Sequence, residues 1–164
     1  MVVAVAKIRK TSTRRFDSPE QEAYLALWRT YDRMQAIEEE LFSRWDITAQ
    51  QYNLLRLLRA SHPDPVPTLS VVSRLVSRAP DVTRMLDRLE MRQLVNRLRS
   101  TTDRRTVLVG LTATGLALLD QIAEPLHDCH ERQLGHLSAT ELKSLTALLK
   151  LARAPHEPEN SPWR

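Results

Sequence analysis

Arginine side chains, which bind phosphate and guanine through paired N–H donors, are concentrated between Ser70 and Arg105. This segment holds nine arginines, no lysine and four acidic residues, so it carries a net charge of +5, against +4 for the whole chain of 164 residues. A run of charges can also be an ordinary solvated helix face with internal ion pairs. Because arginine outnumbers acid more than twofold here, we interpret the segment as a surface that binds a polyanion.

Two of these arginines lie on the polar side of a predicted helix, PDVTRMLDRLEMR (80–92). Its apolar residues recur at spacings of three and four and therefore share one face: Val82, Met85, Leu86 and Leu89. The opposite face carries Asp81, Thr83, Arg84, Asp87 and Arg88. We expect Arg84 and Arg88 to contact bases or phosphates, and the alternative is ion pairing with acidic residues of the same helix. Asp87 would repel phosphate, so its expected role is to orient a neighbouring arginine.

A shorter helix is predicted just before this one. Thr68 is expected to cap it, and its apolar face is expected to contain Leu69, Val72, Leu75 and Val76. Residues 77–79 then form a tight turn, and Pro80 is well placed to start the next helix. Two short helices joined by a tight turn, the second with an arginine-bearing outer face, have the helix-turn-helix arrangement of DNA-binding proteins.

The stretch STTDRR (100–105) separates two strand-like runs, 95–99 and 106–111, and so predicts a β-hairpin. A hairpin directly after a recognition helix is a wing, whose tip reaches the DNA backbone or minor groove. Arg104 and Arg105 at the tip can fill no core, and a narrow minor groove attracts arginine. Asp103 either pairs with Arg84 or Arg97 to brace the wing, or favours the turn itself.

Capping chemistry sets the bounds of the remaining predicted helices. The first begins at Ser18, which caps Pro19 in a box completed by Gln21, and runs to about Arg44. A second capping box, TAQQ (48–51), opens a helix that stops at the prolines of residues 61–67. Thr112 caps a fifth helix, within which Pro125 is expected to cause a bend. The box SATE (138–141) opens the last helix.

This order of elements predicts a mainly α fold with a small β component (α+β), a winged helix-turn-helix with long N- and C-terminal dimerisation helices. The terminal helices are too long and too apolar for a small winged-helix core to cover, so a second copy of the chain is the expected partner. The expected division is a basic, flexible arm over 1–17, dimerisation helices over 18–46 and 113–153, a DNA-binding domain over 47–112, and a disordered tail over 154–164.

Other kinds of function find little support in the sequence. No phosphate-binding glycine loop, metal-ligand motif or nucleophile–base pair is present, so we expect no enzyme, no cofactor and no metal. No apolar run approaches the roughly 18 residues of a membrane span, and a cytoplasmic protein without a membrane partner is expected. A winged helix used only for protein–protein contact would leave the arginine excess unexplained. Cys129, Trp28, Tyr31 and Trp45 are interpreted as packing residues, with a ligand cavity as the alternative for the three aromatic residues.

The residues TLSVVSRLVSRAPDVTRMLDRLEMRQLVNR (68–97) and DRRTVLVGLT (103–112) resemble the MarR family of bacterial transcriptional regulators. The second stretch fits the wing signature of the family at Asp103, Arg105, Leu111 and Thr112. The resemblance implies a homodimer that binds double-stranded DNA at a palindromic operator, with recognition helices in successive major grooves and Arg105 in the minor groove. It also implies repression, relieved in many members by a small aromatic ligand bound between the dimerisation and DNA-binding parts.

The DNA-binding residues predicted from the two arguments together are Thr68, Ser70, Arg78, Pro80, Asp81, Thr83, Arg84, Asp87, Arg88, Arg97, Asp103, Arg104 and Arg105. Two positions depart from the family pattern. Gln93 stands where glycine is usual, which implies either strain at a left-handed helix end or a different turn. Pro80 stands where serine or threonine is common, which removes a hydroxyl that could contact DNA.

Overall fold

A computed structural model of the chain describes residues 16–76, 81–103, 105–159 and 161–163. The chain divides into two compact units between Gln35 and Ala36. Most of the expected basic arm (1–17) and the expected turn at 77–79 lie outside the described residues. Within them no helix is both long and apolar enough to cross a membrane.

The first helix, α1 (Pro19–Ser43), begins as its sequence predicts. The backbone N–H of Gln21 donates to Ser18 Oγ at 3.2 Å, while Gln21 Oε1 accepts from the backbone N–H of Asp17 rather than of Ser18. In the first unit the rings of Tyr24 and Trp28 lie 6.1 Å apart. Trp28 and Tyr31 are about 60% exposed, so the packing interpretation is wrong for both within one chain, whereas Trp45 packs partly buried against the core of the second unit.

Helix α2 (Ala49–Arg59) opens with the predicted capping box, in which Thr48 and Gln51 each accept from the backbone N–H of the other. It supplies the centre of the core through Leu54, Leu55 and Leu58. Strand β1 (Val66–Pro67) follows and was not predicted, because two residues with a proline give no strand pattern. At the edge of a sheet, however, the missing N–H of a proline is tolerated.

The sheet is antiparallel, with order β1-β3-β2. Strands β2 (Val95–Arg99) and β3 (Val107–Leu111) form the predicted hairpin, in which Arg97 pairs with Val109. Strand β1 pairs with the other edge of β3, Val66 opposite Val109. Val95 of β2 and Val109 of β3 are buried in the core. The base of the wing is therefore part of the hydrophobic core.

Helix α3 (Thr68–Val72) differs from its prediction in two respects. Thr68 is its first residue and not its cap, because the Thr68 hydroxyl donates to the carbonyl oxygen of Val107 at 3.0 Å. The buried residues are Val71 and, just beyond the helix, Leu75, whereas Leu69 is 81% exposed. A five-residue helix is too short for its sequence pattern to define a face, and its rotation is set by the pairing of β1 immediately before it.

Helix α4 (Val82–Met91) has the predicted inner face, with Met85, Leu86 and Leu89 buried. The helix begins at Val82, and Asp81 caps it: the Asp81 carboxylate accepts from the backbone N–H of Arg84 at 2.9 Å. The predicted outer face is confirmed as a surface, since Thr83 and Arg84 are exposed.

Helices α5 (Ala113–Leu134) and α6 (Ala139–Arg153) start at the predicted caps, Thr112 and the Ser138–Glu141 capping box. Leu119, Ile122 and Cys129 of α5 are buried in the core, and α6 has no buried residue at all. Within the expected disordered tail (154–164), Ala154–His156 form a 3₁₀ helix, and the Arg153 guanidinium donates to the carbonyl oxygen of Trp163.

Candidate nucleic-acid interface

The outer face of α4 presents two arginines at its exposed surface. The Nε atom of Arg84 lies 2.9 Å from the Asp81 carboxylate, which is the ion pair considered as the alternative role of Arg84. The Arg84 side chain is nevertheless 81% exposed. Arg88 and Thr83 are exposed beside it. The outer face of α4 is therefore open to solvent, and Asp81 holds one edge of the Arg84 guanidinium.

Arg97, predicted as a DNA contact, is instead engaged with acids of α4. Its guanidinium lies 2.7 Å from Asp87 and forms a still closer ion pair with Glu90. The backbone N–H of Arg97 also donates to Glu90 at 3.2 Å. The hydrogen bonds from Arg97 lower the pKa of Glu90, and Glu90 in turn raises the pKa of Arg97. Arg97 therefore joins strand β2 to α4, and Asp87 contacts an arginine as expected.

The sequence did not predict the pairing of Glu90 with Arg97. It offered Glu90 only as an ion-pair partner for arginines of the same helix. Its partner lies seven residues away, on β2. The signal that could have found it is the turn between α4 and β2: a sharp reversal at residues 92–94 brings the last turn of the helix beside the first residues of the strand.

The wing tip is organised by Asp103, and not by a brace to another element. One carboxylate oxygen of Asp103 accepts from the backbone N–H of Arg105 at 3.0 Å, and the other from the Thr106 hydroxyl at 2.8 Å. The bond from Arg105 is the main reason why the pKa of Asp103 is lowered. The expected pairing with Arg84 or Arg97 is wrong, because those guanidinium groups contact other acids, and the turn alternative is confirmed. Arg105 is exposed at the tip, while Arg104 lies outside the described residues.

The two hydroxyls predicted to contact DNA from α3 are already hydrogen-bonded within the chain. Thr68 donates to Val107, as described above, and Ser70 Oγ donates to the carbonyl oxygen of Pro67 at 2.7 Å. Each hydroxyl has only one proton, so contact with a phosphate oxygen requires it to turn away from its carbonyl. Two further predicted residues, Arg78 and Pro80, lie outside the described residues.

Gln93 has the left-handed conformation that glycine usually provides at this position, with φ of 57°. The sequence left two explanations for the missing glycine at position 93, strain at a left-handed helix end or a different turn. The positive φ confirms the first of these. The end of α4 is fixed nonetheless: the N–H of Leu94 donates to Leu89 and that of Gln93 to Glu90. This pair of bonds is the Schellman arrangement that closes helices.

A cavity of about 320 Å³ opens between the last turns of α1 and the second half of α5. An apolar wall of Ile37, Leu41, Pro125 and Cys129 is surrounded by charged side chains, namely those of Glu40, Arg44, Glu124, Asp128 and Arg132. Cys129 is buried as predicted, and burial, followed by the nearby Glu38 carboxylate, raises the pKa of its thiol. Across the described residues no group of three or more side chains is arranged to hold a metal ion.

Comparison with known proteins places this architecture in one family. The model of the MarR family matches residues 47–107. The multiple antibiotic resistance protein MarR of Escherichia coli is 38% identical over 113 residues, which are 68% of this chain and 76% of that protein.

Solved structures agree in fold as well as in sequence. A MarR transcription factor from Planctomyces limnophilus is 58% identical, with a TM-score of 0.66 over 84% of this chain and 99% of its own. A cysteine-to-serine mutant of Escherichia coli MarR, solved with operator DNA, is 30% identical, with a TM-score of 0.72 over 80% of this chain and 93% of its own. The Planctomyces limnophilus protein is named a transcription factor, and the Escherichia coli structure holds operator DNA. The chain belongs to the MarR family of transcriptional regulators.

Proposed function

We propose that this chain binds a palindromic DNA operator as a homodimer, in the cytoplasm where bacterial DNA is accessible, and represses transcription by occupying the promoter. The observation that carries the proposal is the outer face of α4. Its polar side chains, Thr83, Arg84 and Arg88, are exposed, while the inner face of the same helix is buried in the core. A helix whose inner face is fixed in the core and whose outer face carries exposed hydrogen-bond donors has the form that major-groove recognition requires.

The wing supports the same function from a neighbouring position. The hydrogen bonds of Asp103 fix the turn, so Arg105 extends from a loop of defined conformation. In this proposal Arg105 enters the minor groove and supplies affinity, whereas Arg84 reads a guanine and supplies sequence choice. Arg88, one turn further along α4, contacts a base or a phosphate.

Support for a homodimer comes from apolar side chains that one chain leaves in water. In the first unit these are on α1, where Tyr24, Trp28 and Tyr31 are all exposed. In the second unit α6 exposes Leu148 and Leu151 and buries nothing. A twofold dimer would cover such faces and place two copies of α4 about 34–36 Å apart, one helical turn of DNA. The palindromic operator follows from that symmetry.

Support for release by a small aromatic effector comes from the cavity between α1 and α5. A volume of about 320 Å³ lies at the lower end of the range for small-molecule sites. Its apolar wall suits an aromatic ring, and Arg44 and Arg132 offer donors to an acidic substituent at an edge that also carries Glu40, Glu124 and Asp128. A phenolic acid that dissociates the wild-type complex, but not that of an Arg132→Ala variant, would be the expected result.

Selection from a random pool of DNA duplexes tests the core of the proposal. The chain should enrich an inverted repeat whose half-sites are centred about 10 base pairs apart, and a gel shift on the enriched duplex should give one dimeric complex. Enrichment of no sequence, or of a direct single site bound by one chain, would contradict it. Placing the enriched site over a promoter in a reporter strain then separates repression from activation.

A further inference from the structure

Arg92 was counted among the positive charges of the DNA-binding segment, but its guanidinium points into the protein. It donates to the carbonyl oxygen of Trp45 at 2.8 Å and to that of Asp46. These two carbonyls belong to the turn between α1 and α2, 46 and 47 residues earlier in the chain. The Asp46 carboxylate is 3.9 Å away and almost fully exposed, so the backbone contacts are the anchor.

The turn that receives Arg92 is the C-terminal end of α1. Asp46 has a left-handed φ of 52°, the N–H of Asp46 donates to Ser43 and the N–H of Ile47 donates to Phe42. This Schellman closure is the same as that of α4, and in both helices the left-handed residue is not glycine. It leaves the carbonyls of Trp45 and Asp46 without helical donors, and Arg92 supplies both.

Arg92 is itself the C-cap residue of α4 and directly follows Met91, the last residue of that helix. The Arg92 guanidinium therefore lies where the C-terminal ends of α1 and α4 meet. Each of these ends carries a partial negative charge. The start of α5 joins them: the Thr112 hydroxyl donates to the carbonyls of Gln93 and Leu94 at 2.6 and 3.0 Å. Gly115 allows this approach, since a Cβ there would collide with the Leu94 carbonyl. The C-terminal end of α4 is thus held by α1 on one side and by α5 on the other.

We propose that Arg92 is a positioning residue for operator recognition, which fixes the C-terminal end of α4 against the α1–α2 turn and makes no contact with DNA. This inference rests on the proposed DNA-binding function. Arg84 and Arg92 lie eight residues apart, about 12 Å along the helix axis at 1.5 Å per residue. A small tilt at the Arg92 end would consequently displace Arg84 from the base that it reads.

The test compares Arg92→Ala with Arg59→Ala, which removes the same charge from an exposed ion pair with Asp120 and leaves α4 untouched. Both variants are titrated with the selected duplex and with an unrelated duplex at several salt concentrations. Arg92→Ala should lower the preference for the selected duplex about fivefold or more, as expected when one bidentate base contact is lost. Affinity for the unrelated duplex and its salt dependence should match those of Arg59→Ala.

A second variant and a second measurement keep the proposal testable if Arg92→Ala folds poorly. Arg92→Lys keeps the charge but lacks the planar pair of donors that reaches two carbonyls, so it should recover only part of the preference. Hydrogen exchange needs no DNA: Arg92→Ala or Arg92→Lys should speed exchange at the amides of Ile47 and Leu94 together, and Arg59→Ala should speed neither.

Three outcomes would overturn the role given to Arg92. A parallel loss of affinity for both duplexes, with a salt slope shallower by about 0.9, would make Arg92 a phosphate contact. Unchanged exchange at Ile47 would show that the contact does not hold the end of α1. If the wild-type chain selected no duplex but the substitutions still changed hydrogen exchange as predicted, the DNA-binding function would be wrong, and with it the recognition role of Arg92. The contact between Arg92 and the end of α1 would still be supported.

Discussion

At the scale of single residues, arginine serves two different purposes in the segment between Ser70 and Arg105. Arg92 and Arg97 use their guanidinium groups inside the protein, on backbone carbonyls and on acids of α4. Arg84 and Arg105 present theirs to solvent. Charge counting alone therefore overestimates the DNA-binding surface, because planar guanidinium groups are equally suited to joining protein elements.

The ion pair between Arg97 and Glu90 predicts a weak dependence of stability on acid. Because Arg97 lowers the pKa of Glu90 in the folded chain, the pair stabilises the fold above the unfolded pKa of about 4.3. That contribution is lost as the pH falls through the lower folded pKa. Glu90→Gln should cost less than ~1 kcal/mol near neutral pH, since the pair is partly exposed.

Urea unfolding between pH 2 and 7 measures this contribution. Glu22→Gln, which removes an exposed carboxylate from α1, is the matched control. The difference between the Glu90→Gln and wild-type free energies of unfolding should shrink at the acid end of the range. A difference that stays constant or grows toward low pH would show that Glu90 acts through something other than its charge.

The buried thiol of Cys129 should react slowly with alkylating reagents. Only the thiolate reacts, and burial both raises the pKa of Cys129 and blocks access to it. Alkylation at pH 7 should be at least about tenfold slower in the native protein than in the same protein in denaturant. Equal rates in the two states would mean that the cavity beside Cys129 admits the reagent freely and that the thiol is not a packing residue.

Individual contacts were the part of the site that the sequence predicted least well. It left Asp103 with two roles and gave Thr68 the wrong one, because hydrogen bonds to Val107 or Thr106 depend on the folded hairpin rather than on spacing. The ion pair between Arg97 and Glu90 was not predicted, for the same reason. The inner face of α4 was predicted correctly, since helical periodicity alone determines it.

At the scale of elements, local capping chemistry predicted every long helix. Thr48, Thr112 and Ser138 each cap the helix that follows, and the hairpin strands fall within one residue of their expected bounds. Strand β1 and the face of α3 were missed or wrong, because both depend on pairing with β3, about 40 residues later in the chain. Non-local pairing of a two-residue strand leaves no local signal.

The wing should contribute affinity more than sequence choice. Arg105→Ala should weaken binding to selected and unrelated duplexes by similar factors, because minor-groove and phosphate contacts carry little base information. If Arg105 meets one phosphate, the slope of log affinity against log salt should become shallower by about 0.9. Filter binding from 50 to 200 mM salt measures both quantities.

Asp103→Asn provides the control for the wing, because it alters the turn and retains Arg105. It should weaken binding less than Arg105→Ala while leaving the salt slope unchanged. If Arg105→Ala changed neither affinity nor slope, the arginine would be an ordinary solvated residue of the loop.

At the scale of the whole molecule, dimerisation is best tested on α6. Deleting the N-terminal helix is less informative, because its last turns bury Leu41 and Phe42 in the core. Leu148 is exposed in one chain, so Leu148→Glu should leave the fold intact and shift the protein toward monomer in sedimentation experiments. Leu98→Glu, which places the same charge on the wing, should leave the association state unchanged. Monomeric wild-type protein at micromolar concentration would exclude the dimer.

The central claim is that the outer face of α4 reads the DNA sequence, and Arg84 tests it most directly. Arg84→Ala and the control Arg56→Ala, an exposed arginine of α2, are compared on the selected duplex and on each of its single-base variants at one salt concentration. Arg84→Ala should cost about 1–3 kcal/mol on the selected duplex and much less on the variants that lack the matched guanine. Arg56→Ala should cost similar small amounts on all duplexes. A uniform loss across every duplex, or no loss at all, would contradict base recognition by Arg84 from this face of α4.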